Sequence, residues 1–320
     1  MMQNLAFVFP GQGSQQLGML SDAAEAFEVV RGTFAEAADA LDFDLWDMIQ
    51  NSDAQTLAMT ENTQPVLLAA SVALWRTWRE LDGPMPAAMA GHSLGEFSAL
   101  CCAGALDFGD ALRLVRARGQ FMQTAVPAGV GAMAAVIGLD DALVVDICNA
   151  ITADDSVVAA VNFNSPGQVV IAGHVAAVQA ASARLADAGA RKVMPLPVSA
   201  PFHTKLMRPA GERLAQLLSD TDVHAPSIPV IHNVTVAAQS DPARIRELLV
   251  MQISAPVPWT ACVEALRDAG CRRFVECGPG RVLGGLLRRV DKSLSCEFIE
   301  QPDALRGAIA ALAAPDNGDA

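Results

Sequence analysis

Apolar and polar residues alternate along this chain in short blocks that predict an ordered series of strands and helices. Short apolar runs at residues 5–9 and 86–90 predict two buried strands. Apolar residues at helical spacing predict helices near 22–40, 64–80, 94–103 and 107–122. Strands that alternate with helices indicate a mainly parallel sheet covered on both faces.

Two of these helices carry recognisable start signals. Thr63 is expected to cap the second helix, with Pro65 in its first turn, where a missing amide does little harm. Asp107 is expected to cap the helix that runs to about Met122.

The pattern changes after residue 127. Strands are predicted at 132–137, 157–161, 168–172 and 192–196, with helices at 141–150 and 175–188. The order β-α-β-β-α-β is that of a ferredoxin-like split unit. We therefore predict an α/β fold in which residues 1–127 and 200–320 form a large parallel-sheet domain and 128–199 form an inserted small domain. Within the large domain, a strand at 273–276 and helices near 209–219, 242–252, 259–269 and 281–289 follow.

Composition narrows the class of protein. The 320 residues are 52% hydrophobic and 18% charged, and the net charge of −13 argues against nucleic acid or an anionic membrane as partner. No apolar run is long enough for a membrane span, and the apolar start is too short for a signal peptide. Seven scattered cysteines indicate reduced thiols in a cytoplasmic protein, with no metal site and no cofactor expected.

The most informative motif is G-x-S-x-G at Gly91, His92, Ser93, Leu94 and Gly95. It lies between a predicted strand and a predicted helix, which is the context of a nucleophile elbow. There the serine occupies a sharp turn and the amide of Leu94 faces the oxyanion that would form. A chance match in a chain with 24 glycines is the alternative.

A serine nucleophile needs a base, and the chain has five histidines. His203 follows a proline-rich segment at the predicted return to the large domain, so it is the first candidate, and His232 is the second. His92 adjoins the serine but is expected to be structural, because successive elbow residues point apart. No aspartate obviously completes a triad, which leaves a dyad and a full triad both open.

Arg118 falls in the middle of the apolar face of its predicted helix, whereas Arg113 and Arg116 fall opposite. A buried guanidinium is costly unless an anion meets it. An internal salt bridge or a snorkelling side chain would explain it, and so would a clamp for a substrate carboxylate.

Other residues give weaker signals. The turn Gly11-Gln12-Gly13 follows the first strand and could supply a second oxyanion-hole amide. Asn162 and Gln252 offer neutral donors and acceptors, although hairpin and helix-end roles would explain them equally well.

Together these stretches resemble the malonyl-CoA:acyl carrier protein transacylases of fatty acid synthesis, over nearly the whole chain. The segments that carry the resemblance are 9–15, 91–96, 116–119, 161–168, 197–203, Gln252 with 256–259, and 276–280. The family fold is a hydrolase-like α/β domain with a ferredoxin-like insert. The resemblance implies malonyl transfer from malonyl-CoA to the phosphopantetheine thiol of acyl carrier protein, by a ping-pong mechanism through a malonyl-serine ester.

The resemblance also implies a role for each matched residue. Ser93 would be the nucleophile and His203 its base, oriented by a backbone carbonyl. The amides of Gln12 and Leu94 would form the oxyanion hole, and Arg118 would bind the malonyl carboxylate. Further residues implied to line or fix the substrate site are Gln252, Asn162 and Phe202. In this family Phe202 would crowd a branch at the acyl α-carbon and so favour malonyl.

Three other functions fit parts of the pattern. An esterase or thioesterase would use water as acceptor and would place an acid beside the histidine. An acyltransferase that serves a polyketide or malonate-decarboxylase carrier would differ only in carrier preference. A non-catalytic carrier-binding module would need no nucleophile, so the presence of Ser93, His203 and Arg118 argues against it.

Overall fold

Two separate sheets organise the chain, and the computed structural model describes residues 2–198 and 200–314. Within these residues the larger sheet has six strands, in the order β10-β9-β1-β2-β7-β8. They are β1 (Met2–Phe9), β2 (Pro86–Gly91), β7 (Val230–His232), β8 (Ala237–Ala238), β9 (Arg273–Glu276) and β10 (Ser295–Phe298). All neighbours pair in parallel except β7 and β8.

The smaller sheet is antiparallel, with the order β4-β5-β3-β6. Its strands are β3 (Gly131–Ile137), β4 (Val158–Ser165), β5 (Gln168–His174) and β6 (Lys192–Pro195), and the helices between them are α8 (Asp141–Ile151) and α9 (Val175–Asp187). This order is that of the split β-α-β unit. The structure therefore confirms an α/β fold with a ferredoxin-like insert, and the domain boundaries at 127/128 and 199/200 stay a prediction.

Helices surround the larger sheet. They are α1 (Ser21–Ala26), α2 (Glu28–Leu41), α3 (Leu45–Asn51), α4 (Ala54–Ala58), α5 (Thr60–Glu80), α6 (Gly95–Cys102), α7 (Phe108–Thr124), α10 (Arg208–Ser219), α11 (Pro242–Gln252), α12 (Trp259–Asp268), α13 (Val282–Val290) and α14 (Pro302–Ala313). A short 3₁₀ turn, Lys205–Met207, precedes α10.

Side-chain alternation on β1 divides the core of the large domain into two layers. Leu5, Phe7 and Phe9 face the core beneath α2, α5 and α7, whereas Ala6 and Val8 face the core beneath α12 and α13. A strand buried on both faces is typical of a parallel sheet with helices on each side. The small sheet has a separate core, formed with α8 and α9.

The start predicted for the helix at 64–80 is wrong. The helix begins at Thr60, after Met59, so Thr63 lies inside it and Pro65 lies in its second turn. The Thr63 hydroxyl donates to the carbonyl of Leu57 instead of capping the helix. By contrast, Asp107 caps α7 as expected, accepting from the amides of Gly109 and Asp110.

Other elements lie outside the predicted pattern. The helix expected at 22–40 is two helices, because Phe27 adopts an extended conformation between α1 and α2. Elements that the pattern did not predict are α3, α4, β7, β8, β10 and α14. Most of them are short, so their periodicity is weak.

The carboxyl ends of three neighbouring strands assemble one edge of the large sheet. Phe9 pairs with Gly91, and the amide of His92 donates to the carbonyl of Phe9 at 3.0 Å. Because β7 lies on the other side of β2, its end also reaches this edge. Ligand sites in open α/β sheets lie outside the carboxyl ends of the strands.

Backbone hydrogen bonds join the small sheet to the segment between α11 and α12. The amide of Phe163 donates to the carbonyl of Val257 at 3.0 Å, and the amide of Val257 donates to the carbonyl of Val161 at 2.7 Å. The hydroxyl of Thr260 donates to the carbonyl of Phe163 at 3.1 Å. We call these residues, 161–163 with Val257 and Thr260, the inter-sheet seam.

We expect Gly95→Ala to destabilise the protein strongly. A Cβ at Gly95 would overlap the carbonyl of Phe9, so β1 and the elbow would have to separate, at a cost of about 1–3 kcal/mol or more. Gly307→Ala is the matched control, because Gly307 lies exposed in α14 with nothing near its missing Cβ. That change should stabilise by roughly 0.5–1 kcal/mol. Urea unfolding of both variants measures the difference, and equal stability would contradict the packing argument.

Candidate active site

Ser93 lies in a strained turn at the end of β2. Its φ of 52° is in the left-handed region, which residues other than glycine rarely adopt. The turn is possible because Gly91 has no side chain, since a Cβ there would overlap the backbone of Gly95. Asn233 fixes the turn from the next strand, since its Oδ1 accepts the amide hydrogen of Ser93 at 3.0 Å. The geometry is that of a nucleophile elbow.

His203 faces this serine, with its Nε2 at 2.8 Å from Oγ of Ser93. Its Nδ1 lies 3.0 Å from the carbonyl oxygen of Gln252. A carbonyl can only accept, so Nδ1 carries the proton and the bare Nε2 accepts from the serine hydroxyl. The orienting group is therefore a backbone carbonyl, and a dyad describes the site better than a triad. His203 has a φ of 63°, so both members of the dyad hold left-handed backbone.

Burial keeps the imidazole of His203 neutral. Removal from water, with the cation of Arg118 nearby as the second cause, lowers the pKa of His203 to about 3 from its ordinary value of 6.5. At neutral pH the group is thus ready to take a proton from Ser93.

The second base candidate, His232, lies elsewhere. It ends β7 with its side chain fully buried, and its Nδ1 lies 2.7 Å from Oε1 of Glu96. It does not touch Ser93. His92 packs edge-on against Trp259, and its Nε2 lies 2.8 Å from Oδ1 of Asn164. It also lines the cavity, so its purely structural role stays a prediction.

Arg118 places a buried cation beside the nucleophile. Its guanidinium donates to Oε1 of Gln64 at 2.8 Å, to Oε1 of Gln252 at 2.9 Å and to Oγ of Ser93 at 3.2 Å. Burial lowers the pKa of Arg118 to about 10, so the side chain stays charged at neutral pH. Among the described residues no carboxylate lies within ion-pair distance of it, so an internal salt bridge does not explain its position.

A cavity of about 120 Å³ opens in front of these groups. Its walls come from both sheets and from the segment that returns to the large domain. The lining residues are Gln12, Gln64, His92, Ser93, Leu94, Arg118, Met122, Met133, Asn162, Leu196, Val198, Phe202 and His203. Polar and apolar side chains thus share the wall, and the serine, the imidazole of His203 and the cation of Arg118 face one cavity.

The two amides expected to form an oxyanion hole lie at this cavity. Gln12 follows β1 and Leu94 follows Ser93, so the pairing of β1 with β2 brings both turns to the same edge. Neither amide donates a hydrogen bond to another residue in the described part of the chain. Their role as an oxyanion hole stays a prediction.

The three remaining expected residues are also at the site. Gln252 ends α11 and is fully buried, contacting both Arg118 and the backbone of Ser93. Asn162 lies on β4 where the strand register shifts, and its Oδ1 is buried without a partner among the described residues. Phe202 immediately precedes His203 and lines the cavity wall.

Sequence reasoning missed three residues of the network. Gln64 is the polar residue that directly precedes the apolar stretch Pro65–Leu68. Glu96 is an acidic residue between Gly95 and Phe97, at the start of α6. Both are fully or almost fully buried, so a polar residue in an apolar run was the available signal. No comparable signal marked Asn233.

The described residues hold no cluster of three or more histidine, cysteine or acidic side chains that could bind a metal ion. No helix within them is long and apolar enough to cross a membrane.

Comparison with known proteins identifies the family. A model of the acyl transferase domain matches residues 6–312. The malonyl CoA-acyl carrier protein transacylase of Salmonella typhimurium is 52% identical over 308 residues, which cover 96% of this chain and 99% of that protein. The chain belongs to this family of acyltransferases.

Solved structures of family members share the fold. The malonyl-CoA:acyl carrier protein transacylase of Xanthomonas oryzae has a TM-score of 0.95 and 51% identity, covering 97% of this chain and 99% of that one. A malonyl-transacylase in complex with a type II PKS acyl-carrier protein has a TM-score of 0.94 and 49% identity, covering 96% of this chain and 99% of that one. These likenesses confirm the expected family.

We expect the reactivity of Ser93 to persist in mild acid. Because the pKa of His203 is lowered to about 3, its Nε2 stays unprotonated well below pH 6.5. The rate of inactivation by a sulfonyl fluoride should therefore be the same at about pH 5 as at about pH 7. With an imidazole of ordinary pKa, the rate at about pH 5 would be roughly thirtyfold lower. Arg118→Met should shift the acid limb to higher pH, because it removes the nearby cation. A limb centred near pH 6.5 in the unchanged protein would contradict this.

Proposed function

We propose that this enzyme transfers a malonyl group from malonyl-CoA to the phosphopantetheine thiol of an acyl carrier protein, through an ester on Ser93. The observation that carries the proposal is the buried guanidinium of Arg118, 3.2 Å from the nucleophile and with no carboxylate at contact distance among the described residues. A cation there suits an acyl group that ends in a carboxylate. The names of the relatives support the same substrate and acceptor.

In the first half-reaction, Oγ of Ser93 attacks the thioester carbonyl while Nε2 of His203 takes the hydroxyl proton. The carbonyl oxygen becomes an oxyanion that accepts from the amides of Gln12 and Leu94. When the intermediate collapses, the C–S bond breaks and His203 returns its proton to the departing CoA sulfur. The malonyl group is then esterified to Ser93.

In the second half-reaction, the carrier thiol attacks the ester carbonyl and gives its proton to His203. The same amides hold the second oxyanion. Collapse breaks the bond to Oγ of Ser93, which recovers the proton from His203. The free enzyme is restored, so the two substrates react in a ping-pong sequence.

The remaining site residues determine which acyl group fits. Arg118 binds the distal carboxylate, and Gln252 holds the guanidinium from one side. Phe202 narrows the wall beside the acyl α-carbon, so a branched malonyl group is disfavoured. Asn162 offers an acceptor at the cavity wall that has no partner among the described residues.

Intact mass spectrometry tests the reaction class and the nucleophile together. Mixing the enzyme with malonyl-CoA should add one malonyl group, and peptide mapping should locate it on Ser93. Adding phosphopantetheinylated carrier protein should remove the group and malonylate the carrier. Ser93→Ala should gain no mass. Loss of the adduct to water at the same rate with and without carrier would identify a hydrolase and overturn the proposal.

Arg118→Ala should lose malonyl transfer far more than transfer of any acetyl group. Removing one partner of a buried charge contact costs about 2–5 kcal/mol, so kcat/KM for malonyl-CoA should fall at least about thirtyfold. Arg113→Ala is the control, because Arg113 lies on the exposed face of the same helix and pairs with Asp110. Steady-state rates with malonyl-CoA and acetyl-CoA give the comparison. Equal losses for both acyl groups would show that Arg118 is only structural.

A further inference from the structure

Glu96 is a buried acid that the mechanism above does not use. Its side chain is fully buried in α6, and its carboxylate accepts three hydrogen bonds. The donors are Nδ1 of His232 at 2.7 Å, the amide of Asn233 at 2.9 Å and Nε2 of Gln252 at 2.8 Å. No lysine or arginine among the described residues lies within ion-pair distance. A buried carboxylate with no cation in contact needs a reason, and the cation that acts on it through space is Arg118, which bonds the same Gln252 amide.

The contact with Gln252 fixes which way its amide points. A carboxylate can only accept, so the NH₂ group of Gln252 must face Glu96. The carbonyl oxygen of the same amide then faces the guanidinium of Arg118, which can only donate. The reversed amide would place donor against donor at Arg118 and acceptor against acceptor at Glu96. Glu96 therefore sets the acceptor that Arg118 uses.

The contact with Asn233 reaches the nucleophile by a second route. Glu96 holds the backbone of Asn233, whose Oδ1 accepts the amide hydrogen of Ser93 and whose Nδ2 donates to the carbonyl of Gly91 at 2.8 Å. These two bonds bracket the elbow. Nε2 of Gln252 also donates to the carbonyl of Ser93 at 3.0 Å. Both routes from Glu96 end on the reacting serine or on the cation beside it.

His232 completes the arrangement by bonding the other carboxylate oxygen, Oε1, of Glu96. Its Nδ1 carries a proton toward Oε1 of Glu96, and its Nε2 is buried without a partner among the described residues. The imidazole can carry its proton on either nitrogen, because no described neighbour needs Nε2 to be a donor or an acceptor.

We propose that Glu96, held by His232, is the positioning residue that orients Gln252 and thereby aims Arg118 at the distal carboxylate of the acyl group. The inference rests on the proposed function, since it assigns Glu96 to recognition of a dicarboxylic acyl group. Glu96 acts through Gln252 and Asn233 and touches no substrate.

Two substitutions at Glu96 separate the effect of side-chain length from the effect of its negative charge. Glu96→Asp keeps the charge but withdraws the carboxylate by about 1.5 Å, so it cannot meet all three donors. Glu96→Gln loses the charge but keeps the contacts. Its oxygen can accept from Gln252 and Asn233, and its NH₂ can donate to Nδ1 of His232 once the proton of that imidazole moves to Nε2.

The measured quantity is the ratio of kcat/KM for malonyl-CoA to that for acetyl-CoA. Glu96→Asp should lower this ratio at least about tenfold, because small misplacements near a reacting group cost up to a hundredfold. Glu96→Gln should leave it within about threefold. Ser98→Ala, which removes an unpartnered buried hydroxyl from the same helix, should not change it. An unchanged ratio in a folded Glu96→Asp variant, or equal losses for both acyl groups, would overturn the proposal.

A double-mutant cycle tests whether Glu96 acts through Gln252. In the Gln252→Ala background, Glu96→Asp should lower the ratio of malonyl to acetyl kcat/KM by no more than about twofold further, because Glu96 reaches Arg118 only through Gln252. The remaining route through Asn233 ends on Ser93 and affects both acyl groups alike. Additive losses in this ratio would show that Glu96 acts on acyl recognition independently of Gln252 and would overturn the proposal.

NMR of the histidine side chains tests the positioning role of Glu96 without relying on malonyl transfer. With labelled imidazoles, the Nδ1 signals of His232 and His203 should shift in Glu96→Asp and stay in place in Ser98→Ala, since α11 carries the carbonyl that binds His203. If malonyl-CoA leaves no adduct on the unchanged enzyme, the proposed function fails, whereas the NMR shifts still decide whether Glu96 positions the network. Unshifted signals would overturn the positioning role whatever the substrate.

Discussion

The parallel pairing of β1 with β2 is the constraint on which the site depends. With Phe9 beside Gly91, the turns that follow the two strands are forced to the same sheet edge, and the elbow has no room for a side chain at Gly91 or Gly95. The next strand, β7, adds Asn233 to this edge. Three segments far apart in sequence therefore meet because their strands are adjacent. The same packing forces the backbone of Ser93 into its strained, left-handed conformation.

The positive charge at the site is preserved because the hydrogen-bond partners of Arg118 are neutral. Two neutral glutamine oxygens hold the guanidinium, so its direction is fixed while its charge is not cancelled at contact distance. A carboxylate in their place would have neutralised the cation and left nothing for an incoming anion. The same cation helps to lower the pKa of His203, and the backbone carbonyl of Gln252 orients that imidazole without adding a negative charge.

Local patterns made much of the fold predictable. The buried run at β1, the elbow at Ser93 and the cap at Asp107 each depend on neighbours in sequence, so they could be recognised there. Arg118 stood out because it interrupts an apolar helix face. The start of α5 was misplaced because the hydroxyl of Thr63 bonds the carbonyl of Leu57 in α4 and does not cap α5. Asn233 follows a three-residue strand, and its role depends on contacts more than a hundred residues away.

The inter-sheet seam has a consequence for how the cavity can widen. Main-chain bonds at Phe163 and Val257 tie the small sheet to the large domain only a few residues beyond Gln252. Because these main-chain bonds join the two sheets at this border, the border would act as the fixed axis of any opening. The part of the wall formed by Leu196 and Val198 would then move outward, while hydrogen bonds hold the nucleophile, its imidazole and the guanidinium at their spacing.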